Sequence, residues 1–223
     1  MKTYRKTAVI VGVLFIIGTV SGILSAVFTG SILSAPDYLA QVAAHETQML
    51  AGAFCVLLMG LSLAMVPVMM YPLFKNQNGA LALGAVVFRG PLEAGMYILT
   101  VVSWLLLIVV SRESVGANAA VASGFQALGA VLQQTGEVIN PVLEIIFSLG
   151  ALMFYTLFYQ TRLIPRWLSG WGFVGAIVYL ATGVLALFGT NLEFLLALLG
   201  VQEMIMALWL IIKGFNPTSI EAK

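Results

Sequence analysis

Residues 48–74 read QMLAGAFCVLLMGLSLAMVPVMMYPLF. No charged side chain interrupts them, and Glu46 and Lys75 stand just outside. A helix that crosses the hydrocarbon core of a bilayer needs roughly 20 apolar residues. A spanning backbone in lipid must also satisfy its own N–H and C=O groups, so this stretch reads as a membrane helix. Working outward, five more stretches meet the same test, at about 7–30, 81–110, 140–159, 170–188 and 192–212. The six together use most of the 223 residues. The chain therefore reads as a single all-α polytopic domain, a bundle of six transmembrane helices.

Composition agrees. Hydrophobic types make up 61% of the chain and charged types 9%, where a soluble domain carries about 25% charged residues. Mean hydropathy is +1.05. A net charge of +1 gives no field for an acidic partner, and nucleic acid is not expected as one. The single cysteine, Cys55, excludes an intrachain disulfide and a cysteine-based metal cluster. Membrane lipid is the expected surrounding partner, and no oligomeric state follows from these features.

Lys and Arg set the expected orientation. Lys2, Arg5, Lys6, Lys75, Arg162, Arg166, Lys213 and Lys223 all fall on one side of a six-span topology. Arg112 alone marks the other side, where Asp37, Glu46, Glu113, Glu137 and Glu193 gather. Both termini are therefore expected in the cytoplasm, with Glu221 as a tail residue. The basic start and long apolar run read as an uncleaved first span rather than a signal peptide. Outer segment 124–132 reads equally as a half-polar surface helix or a plain loop. Asn140-Pro141 reads as an N-cap with proline at the first helical position, starting the fourth span. Gly12/Gly18/Gly22 and Gly170/Gly172/Gly175 read as points of close helix approach.

Four ionisable residues fall inside spans: Arg89, Glu93, Glu144 and Glu203. Each costs about 2.5–3.5 kcal/mol at a helix centre on insertion scales, so each requires a partner or water. Arg89 and Glu93 share a helical face at i, i+4. Glu203 stands ten residues from Glu193 and ten from Lys213, near mid-depth. One arginine against three glutamates leaves a formal −2, which an apolar interior does not hold without a proton, a cation or water. Tyr97 follows the Arg89/Glu93 stripe, and Ser148, Tyr155 and Tyr159 follow that of Glu144. The expected ligand or proton site is therefore Arg89, Glu93, Glu203, Glu144, Tyr97 and Tyr155. His45 and Glu46, where the second span begins, are read as its entrance. The plain alternative is that Glu144 faces the outer water and Glu203 pairs with Arg89, an ion-pair network that only locks helices together. Pro91, between Arg89 and Glu93, is placed to bend its helix.

Absences narrow the chemistry. No lysine lies in mid-span for a retinal Schiff base, and one histidine does not supply bis-histidine haem ligation. Asp37 is the only aspartate, so no intramembrane aspartyl dyad exists. G-x-S-x-G, H-E-x-x-H and the P-loop are all missing. A dedicated metal site is not expected from one histidine. No cofactor is expected, and the balance leans away from an enzyme. Gly90-x-x-Glu93-x-x-Met96 matches Gly200-x-x-Glu203-x-x-Met206 in an oppositely directed span, a three-residue likeness best explained by chance.

Two segments carry a family likeness: Met70-Tyr-Pro-Leu-Phe-Lys75 through Phe88-Arg-Gly-Pro-Leu-Glu93-Ala94, and Arg162-Leu-Ile-Pro165-Arg-Trp167-Leu-Ser-Gly170-Trp-Gly172. Together they resemble a bacterial family of small polytopic membrane proteins, the domain of unknown function 4386. The resemblance implies a multi-pass protein of the bacterial inner membrane and supplies no activity. From the residues, the first functional expectation is small-solute binding or transport, with a proton or a small cationic solute held by the buried glutamates. A non-catalytic sensor or accessory subunit is the second. An outer-leaflet lipid-modifying enzyme using His45, Glu46 and Glu144 is the third.

Overall fold

The computed structural model describes residues 2–216, apart from the side chains of Lys2, Thr3 and Ala119. Lys223 and Glu221, read above as C-terminal charges, lie outside the described residues. All regular structure among the described residues is helical. Helix α1 (Lys2–Leu33) is followed by a short α2 (Tyr38–Ala44) and by α3 (Glu46–Phe74). The third span is α4 (Gly79–Val87), a π-helical turn at Phe88–Leu92, and α5 (Glu93–Ser114). Then come α6 (Ala119–Gln133), α7 (Thr135–Thr161), α8 (Arg166–Leu187), a 3-10 turn at Glu193–Leu196, and α9 (Ala197–Ile212).

Among the described residues, six helical segments are long and apolar enough to cross a membrane. Their outward faces are apolar as well, with Val27, Phe54, Leu61, Val109, Val174 and Leu208 all exposed. Such a surface suits lipid and not water.

The chain ends share one end of the bundle. Arg5 donates from Nη2 to the carbonyls of Ile211 (2.6 Å) and Ile212 (3.1 Å), which closes the C-terminus of α9. The α7–α8 connection lies there too, since Asn216 N–H donates to the Leu163 carbonyl. At the opposite end Arg112 donates from Nε and Nη2 to the two carboxylate oxygens of Glu46. There Gln133 also donates to the Leu33 carbonyl at 2.6 Å.

Helix α7 runs through the middle, packed on α4, α5 and α8, while α1 lies between α3 and α9. Phe74, Phe154 and Phe158 form an edge-to-face set with ring centres 4.8–5.6 Å apart. Lipid gives no hydrophobic drive for such packing, so close contact and dispersion hold these helices together. The α1 glycines serve that contact: Gly12 faces α9, and Gly18 and Gly22 face Leu63 and Met59 of α3. Gly172 and Gly175 likewise face Tyr155 and Leu199, whereas Gly170 faces open space.

One open alternative is decided by the structure and one boundary differs from expectation. The segment at 124–132 is helical, within α6, which rests on α5 with Ser103 donating to the Leu132 carbonyl. Asn140 does not cap the fourth span, because α7 starts at Thr135 and carries Pro141 inside it. Proline there removes only the donor to the Glu137 carbonyl. Glu137 is exposed in the first turn, so water can satisfy that carbonyl and the helix runs on.

Candidate functional site in the bundle centre

The π-turn sets the site. Pro91 has no N–H for the Val87 carbonyl, and Gly90 departs from helical geometry (φ −94°, ψ −105°). Turns of this kind interrupt helices at functional positions more than elsewhere. Here the turn carries Arg89 inward while Pro91 and Leu92 stay exposed. Gly150 of α7 makes the approach possible. A Cβ at that position would stand 2.6 Å from Arg89 Cγ and 3.1 Å from its backbone nitrogen.

Arg89 is completely buried. Its Nε donates to Glu93 Oε2 at 3.3 Å, and its Nη1 donates to Glu203 Oε1 at 3.1 Å. Its guanidinium lies 4.5 Å from the ring centre of Phe147, and 5.8 Å from those of Phe15 and Phe154. Aromatic faces stabilise a desolvated cation of this kind. Arg89 Nη2 and Glu93 Oε1 are buried and have no hydrogen-bond partner. The cluster is formally one cation and two anions.

Glu203 is held from a second side. Tyr155 donates to Gln202 Oε1 at 2.7 Å and reaches Glu203 Oε1 at 3.5 Å. Gln202 in turn donates to the Leu168 carbonyl of α8 at 2.9 Å. Tyr155 lies directly on Gly172, where the absent side chain gives its ring space. One chain of polar contacts therefore links the third span, α7, α8 and α9. Gln202 adjoins Glu203 in sequence but lies off the polar stripes of the third and fourth spans, so nothing in its own span marks it.

Of the remaining expected residues, Tyr97 lies one turn beyond Glu93 and interacts electrostatically with it. Its ring packs on Gly60 of α3. Glu144 does not join Arg89. It lies on α7 about 9 Å nearer the far end than Gly150, and lines a separate cavity there. Tyr179 of α8 interacts with Glu144 and also with Glu203, Glu93 and Arg89. It was missed in the sequence because a tyrosine in a glycine-rich span reads as packing. Ser148 spends its hydroxyl on the Glu144 carbonyl (2.6 Å), and Tyr159 is exposed under Arg166.

His45 and Glu46 stand apart from that cavity. His45 Nδ1 meets the Gln41 carbonyl at 3.0 Å, and Glu46 pairs with Arg112. Neither lines the cavity that holds Glu144. Among the described residues, no three His, Cys, Asp or Glu side chains are grouped to hold a metal ion.

The family model described as domain of unknown function (DUF4386) matches residues 10–214. The chain belongs to this family. No curated protein and no solved structure matches it. The family domain contains every member of the polar chain, from Arg89 to Glu203. The two segments that carried the family likeness both pack against the same central part of the bundle. Phe74 packs on Phe154 and Phe158, Gly172 receives Tyr155, and Leu168 accepts from Gln202. Both segments frame α7 and the buried arginine.

Proposed function

We propose that this membrane protein binds a small solute and couples that binding to a proton held by Arg89, Glu93 and Glu203. The observation that carries the reading is one buried guanidinium shared by two buried carboxylates, with Glu93 Oε1 left unpartnered. Two ionised carboxylates against one cation leave a net negative charge in a low-dielectric interior, which is costly. One bound proton makes the cluster neutral. Release or uptake of that proton shifts the balance between Glu93 and Glu203, and so between the third span and α9. Ionisable groups inside a membrane domain commonly mark proton or ion pathways. The location proposed is the bacterial inner membrane with both termini cytoplasmic, supported by the cations gathered at that end.

The test is a solute screen in proteoliposomes loaded with the pH dye pyranine. Amines, amino acids and sugars are added outside, and lumenal pH is followed. A solute-dependent pH change is expected in wild type and is lost in Glu203→Gln. A solute that moves protons equally in both proteins would refute the reading.

A second reading has its own support. Arg89 is enclosed by Phe15, Phe147 and Phe154 and pinned by Gly150. Such packing suits a fixed lock between helices, as in a sensor or accessory subunit without turnover. In that case Glu203→Gln lowers thermal stability, and no solute of the screen alters lumenal pH.

A further inference from the structure

A second acidic site lies at the end of the bundle opposite the termini. A cavity of about 330 Å³ is bounded there by α7, the last turns of α8 and the 3-10 turn. Three carboxylates line it, those of Glu137, Glu144 and Glu193, with Asn140, Asn191 and Thr182 beside them. No lysine, arginine or histidine is in the lining. Glu137 and Glu193 are exposed at the rim. Glu144 is different, being only 7% exposed, and its Oε2 is buried without a hydrogen-bond partner. Gly183 lies against its Cβ, and Tyr179, one turn earlier on α8, does not donate to that oxygen.

A buried carboxylate oxygen of this kind requires a donor. Asn191 does not supply it, since its amide donates to Glu193 Oε1 at 2.9 Å and its oxygen accepts the Glu193 N–H. Thr182 donates to the Val178 carbonyl within its own helix. The three carboxylates are not grouped closely enough to hold a metal ion between them. The charge to be matched is thus positive, spread, and in need of N–H donors. The lining holds no aromatic ring, so it lacks the cage that quaternary ammonium groups use. A primary ammonium, with three donors on one charge, meets each condition.

We infer that this cavity binds a primary ammonium group, with Glu144 at its floor and Glu137 and Glu193 at its rim. The group belongs either to a soluble aliphatic amine or to an ethanolamine lipid head group. No residue of the Arg89 cluster lines this cavity, so the inference is tested apart from proton coupling, although Tyr179 interacts with both.

The test measures melting of the full-length protein in phosphatidylcholine nanodiscs, titrated with ethanolamine, putrescine or tetramethylammonium. A parallel sample uses nanodiscs containing phosphatidylethanolamine. The expected result is an upward, saturable shift with the primary amines and none with tetramethylammonium. Apparent affinity should fall about tenfold or more in Glu144→Gln, the loss expected for a charge-assisted hydrogen bond. Glu193→Gln at the exposed rim weakens binding less and serves if Glu144→Gln does not fold. A shift seen only with phosphatidylethanolamine, and lost in either variant, assigns the ammonium to lipid and supports the inference. Absence of a shift from every primary amine and from the lipid overturns it. So does an equal shift with tetramethylammonium, or one that survives both substitutions.

Discussion

Arg89 donates to Glu203 at 3.1 Å across 114 positions of sequence, joining the broken third span to the last helix. The same guanidinium holds Glu93 on its own span. One buried cation thus ties α5, through Glu93, to α9, through Glu203.

Arg89→Leu leaves two buried carboxylates without their cation. Removing one partner of a buried ion pair costs about 3–5 kcal/mol. The variant should melt well below wild type in detergent, by scanning fluorimetry. Arg89→Lys should fall between the two, because a single ammonium lacks the planar fork that reaches both carboxylates. Equal melting of wild type and Arg89→Leu would show that the pair does not hold the helices.

Gly150→Ala tests the close approach directly. The added methyl would stand 2.6 Å from Arg89 Cγ and 3.1 Å from backbone. Overpacking of that kind costs about 1–3 kcal/mol. Gly30→Ala near the end of α1 has open space instead and should be neutral or slightly stabilising. Melting temperatures of the two variants should therefore move apart.

The starting sequence made much of this legible. Uninterrupted apolar runs gave the number of spans, and the alternation of connections at the two ends agrees with the contacts of Arg5 and of Glu46. The buried charges stood out because charge in an apolar run demands compensation. Pairing was harder to read. Arg89 and Glu93 are neighbours on any helix, and charge counting leaves the Arg89–Glu203 pair as one of two open readings; the π-turn and Gly150 that bring it about are not visible in the charges. The Asn140-Pro141 cap failed for a related reason. A local capping motif was outweighed by an exposed first turn that tolerates proline in its fourth following position. Gln202 and Tyr179 escaped because the polar stripes were followed along the third and fourth spans and not along α8 and α9.

Gln202→Leu should destabilise more than Tyr155→Phe. The leucine removes both the bond from Tyr155 and the bond to the Leu168 carbonyl, whereas phenylalanine removes only the first. Each buried hydrogen bond lost costs about 0.5–1.5 kcal/mol. The double variant should cost less than the sum of the two singles, since they share one hydrogen bond. Strict additivity in chemical denaturation would contradict the Tyr155–Gln202 link.

The proton is the centre of the account, and infrared spectroscopy of the purified protein near neutral pH reads it most directly. The account predicts a carbonyl stretch from one protonated buried carboxylic acid. Either Glu93→Gln or Glu203→Gln should abolish that band, because one arginine with one carboxylate is already neutral, while Glu144→Gln should leave it in place. A wild-type spectrum without the band, or a band that survives both Glu93→Gln and Glu203→Gln, would contradict the claim.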